Sequence, residues 1–162
     1  MVRVITTAPT KASQLVYKTV HFSLVVEVNN ATTEILFMID PKKLHTGNCT
    51  NTIEILTTSI PEVLENKCYN SKNLPFSEEV LNTPIAHLFE HVLLQSLFNE
   101  RKSASNMVLI YRGSTKWNWK NELIGTYHIR INANIRDMDI IRSAVENTVN
   151  VTHAVIASSE QV

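Results

Sequence analysis

Between Thr83 and Lys102 the chain carries a helix-length stretch that is apolar on almost every side, and its first turns contain the string His87-Leu88-Phe89-Glu90-His91. On a helical wheel His87, Glu90 and His91 share a sector only about 100° wide. Ile85, Ala86, Leu88, Phe89, Val92, Leu93 and Leu97 fill the rest, and Leu94 and Phe98 extend the polar sector's own face. A helix apolar all round is a buried one. Two imidazoles and a carboxylate inside it are costly unless each polar atom finds a partner.

A divalent cation supplies that partner. Zinc suits two imidazole nitrogens four residues apart, a third protein ligand from elsewhere and a water in the fourth position. Glu90 then has the position of a general base that takes a proton from the attacking water and passes it to a leaving amine. This is metal-assisted amide hydrolysis on the inverted form of the HExxH pattern. For the third ligand the sequence offers Glu122, in a Trp-bearing loop, and Glu146, on the closing helix, with His128 a further candidate. Arg130, on the same strand face as His128, is the candidate for oxyanion or carboxylate binding, ahead of Tyr127 on the opposite face. Trp117 and Trp119 are candidates for the wall of a substrate groove.

Around this helix the pattern predicts an α+β domain, a mostly antiparallel sheet with helices on one face in the order β-β-α-β-β-α. Lys18 to Asn29 alternates Val20, Phe22, Leu24, Val26 and Val28 with His21, Ser23, Val25, Glu27 and Asn29. Glu34 to Asp40 follows as a second strand across an Asn-rich turn tolerant of positive φ, and Pro41 ends it. The 42–59 segment reads as a loop or short edge strand, Pro61 to Asn66 as a short helix. Thr83 and Pro84 provide a helix start, with a hydroxyl for a cap and a proline at the first helical position. Asn106 to Arg112 and Gly125 to Asn134 are the remaining strands, and Asp137 to Ala157 repeats apolar residues at helical spacing.

The 162 residues, 44% of them hydrophobic, suit a single domain, residues 1–162, with one core. Fifteen Lys+Arg balance fifteen Asp+Glu without clustering, which excludes the electrostatic footprint of a nucleic-acid or anionic-membrane binder. No stretch reaches the roughly 20 apolar residues of a membrane helix. Met1 to Gln14 has no apolar h-region, and Cys49 and Cys68 form no CxxC pair and stand apart from other ligand types in the sequence. Reduced thiols in a cytoplasmic protein are the expectation. Partners are then a peptide or isopeptide substrate, with a second copy of the chain as a candidate.

The segment from Thr83 to Gln95 resembles the helix of the N-terminal domain of cyanophycin synthetases, and the outline continues through Gly125-Thr126-Tyr127 and its strand into the closing helix. Lys18 to Val28 is compatible with the early strand of that domain. The resemblance implies a metallopeptidase-like site with His87, Glu90 and His91 in its motif, acting on an Asp/Arg polymer; the family's ligase modules have no counterpart here. Where those synthetases tend to carry a glutamate after the Gly-x-Tyr step, this chain has Asn132, which fits adaptation to another peptide or isopeptide, or a non-catalytic binding or oligomerisation domain on the same fold. The motif is also similar to that of pitrilysin-type inverzincin peptidases, whose third ligand comes from a further helix.

Overall fold

A computed structural model describes residues 13–69 and 72–160. The stretch read as lacking a leader lies, up to residue 12, outside them. Three strands, β1 (Gln14–Lys18), β2 (Phe22–Val28) and β3 (Thr33–Ile39), are followed by helices α1 (Thr52–Ser59), α2 (Phe76–Glu79) and α3 (Ile85–Ala104). Strands β4 (Gly113–Lys116) and β5 (Thr126–Ile131) come next, and α4 (Met138–Ala157) closes the chain. The fold is mixed α/β, with a five-stranded, wholly antiparallel sheet in the order β1-β2-β3-β5-β4.

The observed order departs from β-β-α-β-β-α at both ends of the sheet. The alternating run from Lys18 is not one strand. Thr19 accepts hydrogen bonds from His21 N–H and Phe22 N–H through its hydroxyl, which turns the chain and leaves Val20 84% exposed at the tip. The residues before that turn pair back on β2 as β1. The 42–59 segment holds a helix, α1, rather than an edge strand. The expected strand at Asn106 to Arg112 is irregular, with Met107, Val108 and Ile110 exposed, and the pairing with β5 is made by the small, polar residues after it. Gly113 explains the choice. A Cβ there would stand 2.7 Å from Ile131 Cδ1 and 3.0 Å from Glu90 Oε1, so glycine lets the chain close onto the sheet at that point without displacing either side chain.

The turn between β2 and β3 is an Asx turn. Asn29 Oδ1 accepts from the N–H groups of Ala31 and Thr32, and no positive φ is used. Gly125 does need one. Its φ is +95°, its carbonyl accepts from Ile39 N–H, and a side chain would collide with Ile39 O. Along β2, β3 and β5 alternate residues, among them Leu24, Val26, Ile35, Phe37, Tyr127 and Ile129, are fully or almost fully buried and join Phe89, Leu93, Val145 and Val149 of α3 and α4 in one core. Phe37 centres it, within ring contact of Phe22, Phe89 and Tyr127. Among the described residues no helix is long and apolar enough to cross a membrane.

Candidate metal centre

Helix α3 starts one residue later than the sequence predicts, and the difference shapes the site. Pro84 precedes the first helical residue; its carbonyl accepts the first helical bonds, from His87 and Leu88 N–H. The Ile85 N–H, an orphan of the first turn, donates to Leu44 O. With the terminus stitched to the strand-leaving segment in this way, the Thr83 hydroxyl makes no cap. It lies 2.8 Å from His87 Nδ1 instead.

From this anchored start His87 and His91 project from one face of α3, as their spacing requires, with Nε2 atoms 3.2 Å apart. The third donor is Cys68. Its Sγ lies 3.4 Å from His87 Nε2, and the three donor atoms all fall within 4.8 Å of one another. Among the described residues this is the one group of three or more potential ligands close enough to share a cation. Cys68 arrives because the connector between the Pro61–Glu65 turn and α2 folds back on itself: Cys68 N–H donates to Leu74 O, Phe76 N–H donates to Asn66 O, and Lys67 bridges Pro75. The expectation that the cysteines stand apart from metal ligands therefore holds along the chain and fails in space for Cys68. Neither Cys68 nor Cys49 is in a disulfide.

The surroundings are dry. Cys68 is 3% and His91 8% exposed, and Phe76 stacks on the His91 ring at 4.0 Å. Burial pushes the His87 imidazolium down from its ordinary range, opposed by the carboxylate of Glu79. Burial and the neighbouring His87 charge together drive His91 to about 3. Both rings are neutral near pH 7, the state in which imidazole is a ligand.

Glu90 is on the same helix but faces another way. It is 6% exposed, and its Oε2 accepts a hydrogen bond from Thr115 Oγ1 on β4 while Oε1 lies against Gly113. Burial raises its pKa, and the Thr115 bond opposes that rise. The other residues named from sequence stand apart from the imidazoles. Glu122 accepts a hydrogen bond from His128 Nε2 at 2.6 Å, and His128 is on the exposed row of β5. Glu146 is on the exposed side of α4, where its charge acts on Tyr17. Arg130 is also on the exposed row and pairs with Glu34 at 2.9 Å. A period of two sends His128 and Arg130 away from the face that α3 covers. Trp117 and Trp119 both contact the Tyr127 ring, with Trp119 Nε1–H donating to Thr126 O; Trp117 remains half-exposed.

The donor set is one that could hold a metal ion, and zinc is the ion its chemistry suits. Bond lengths of about 2.0–2.1 Å to nitrogen and about 2.3 Å to sulfur in a tetrahedron place donors roughly 3.3 Å (N to N) and 3.6 Å (N to S) apart. The separations of 3.2 and 3.4 Å at His87 Nε2 are close to these edges, and the third edge, Cys68 to His91, lies within 4.8 Å. Comparison with family models, curated proteins and solved structures finds no match to this chain.

Proposed function

We propose that the protein is a zinc-dependent hydrolase of peptide or isopeptide bonds, with the metal held by Cys68, His87 and His91. The observation that carries this reading is the convergence of one buried thiol and two imidazoles, His91 buried and His87 partly so, within 4.8 Å of one another. Three protein donors leave a fourth position open, the composition of a catalytic rather than a structural zinc site. Bound there, zinc supplies a Lewis acid and lowers the pKa of water. The chain's own part is to hold the rings neutral, to exclude solvent through Phe76, and to keep a carboxylate next in sequence to a ligand. Glu90 is the general base of this reading and would take a proton from water and return it to the leaving amine once its carboxylate turns from Thr115 and Gly113 toward the donor cluster. A cytoplasmic setting belongs to this reading and is supported by two unbridged cysteines. The similarity of the His87-to-His91 segment to cyanophycin synthetase N-terminal domains makes an Asp/Arg polymer the first substrate to try.

A non-catalytic binding domain is the second reading, and one contact favours it: the Thr115 bond ties Glu90 to the edge strand, a structural duty for the acid. The two separate in one experiment. Peptide mixtures that include Asp/Arg-rich polymer are incubated with zinc-loaded wild type, with chelated protein and with Glu90→Gln, and fragments are read by mass spectrometry. A hydrolase yields fragments only from the metal-loaded wild type, and Glu90→Gln keeps its zinc while losing cleavage. Zinc retained without fragments from any substrate supports the binding domain, and a wild type that holds no zinc contradicts the hydrolase.

A further inference from the structure

We propose that Thr83 is a positioning residue for this centre: its hydroxyl accepts the Nδ1–H of His87 and so presents the Nε2 lone pair beside Cys68 Sγ and His91 Nε2. The inference rests on the assignment of these three residues as a cation site. A neutral imidazole carries one proton, and the partner of one nitrogen decides which. Thr83 Oγ1 lies 2.8 Å from His87 Nδ1, so the hydroxyl is that partner.

The hydroxyl is held in place from behind. Thr83 is 1% exposed, and its backbone is clamped by Thr46: Thr83 N–H donates to Thr46 Oγ1 at 2.9 Å, and Thr83 O accepts from Thr46 N–H at 2.9 Å and from the Thr46 hydroxyl at 3.3 Å. Pro84 fixes the backbone on the other side. A ring aimed by so constrained a contact does not have to find its orientation when the cation arrives. The polarity of the contact also matters. If the hydroxyl donated to Nδ1, the proton would sit on Nε2 and point into the donor cluster, where it excludes a cation. Cation binding therefore selects the arrangement in which Thr83 accepts.

The test is a competition titration of zinc against a chromophoric chelator, with full-length wild type, Thr83→Val and Thr83→Ser. Valine keeps the shape and removes the acceptor, so zinc affinity falls by about 10- to 100-fold, the range for loss of such a partner. Serine restores the acceptor and recovers most of the affinity that valine loses. Equal affinity of the valine variant and wild type overturns the role of Thr83 alone. A wild type without measurable zinc affinity overturns the cation site itself, and the role of Thr83 with it. Nitrogen-15 spectra of zinc-loaded wild type give a readout that does not depend on a variant folding: a proton on His87 Nδ1 with Nε2 as ligand is expected, and the reverse assignment overturns the proposal.

Discussion

Two histidine-bearing clusters of this molecule use similar chemical groups in opposite surroundings. On the outer row of β5, His128 and Arg130 pair with Glu122 and Glu34, and both basic side chains are more than half exposed. Around α3, His87, His91 and Cys68 face one another in a nearly dry pocket walled by Phe76. In the outer cluster each basic side chain has an acidic partner and is open to solvent, so these bonds add little to stability, although Glu122 Oε2 is itself buried without a hydrogen-bond partner among the described residues. The inner cluster brings three electron-pair donors together, with the Glu79 carboxylate acting on His87. On the reading proposed above, a histidine's neighbours and its access to water, rather than its presence in a motif, decide whether it can serve a cation.

The sharpest way to break the comparison is to remove one donor from each cluster. Cys68→Ser or His87→Ala should weaken zinc binding by more than about a hundredfold, beyond the usual loss of a secondary partner. Glu122→Gln and Arg130→Ala should leave it unchanged, and a chelator competition titration measures all four.

A second contrast is pH. The folded value of His91, about 3, lies below its ordinary 6.5. The unfolded chain thus takes up the proton first, and metal-free stability is complete above pH 6.5 and falls as pH drops toward 3. Between pH 6.5 and 4 this group removes about 3 kcal/mol. Urea unfolding of the metal-free protein should show that loss, and His91→Leu should abolish its His91-dependent share.

Gly113 probes the close approach of β4 to Glu90 of α3. Gly113→Ala should cost about 1–3 kcal/mol in thermal or urea unfolding through overlap with Ile131 and the Glu90 carboxylate. The smallest effect is expected on the outer face, where Arg130→Ala should change stability by about 1 kcal/mol or less.

How far these clusters were legible in the sequence follows from the range of the interactions. His87 and His91 meet because a helix brings residues four apart onto one face, and that needs only local sequence. The alternation of β5 and the apolar spacing of α4 are local in the same sense, and both elements form within a few residues of the predicted bounds. Cys68 lies 19 residues before His87 and reaches it through a fold-back of irregular chain. No periodicity marks such a loop. The one available signal was chemical: a thiol, zinc's strongest protein ligand type, in the stretch that leads into the motif helix. Glu122 and Glu146 were named for carboxylate chemistry alone, and neighbours that spacing does not reveal, His128 for one and a solvent-facing helix side for the other, claim them. Edge strand β4 was missed for a related reason. Gly113-Ser114-Thr115-Lys116 has no apolar alternation, and its ties to α3, the close approach of Gly113 to Glu90 and the Thr115 hydrogen bond to that carboxylate, leave no trace in spacing.

X-ray absorption at the zinc edge of the loaded protein tests the central claim most directly. The account predicts one sulfur at about 2.3 Å and two imidazole nitrogens at about 2.0–2.1 Å, completed by a light oxygen or nitrogen scatterer. The sulfur should vanish in Cys68→Ser. A spectrum with only nitrogen and oxygen neighbours in the wild type, or protein that emerges from zinc loading without metal, would contradict it.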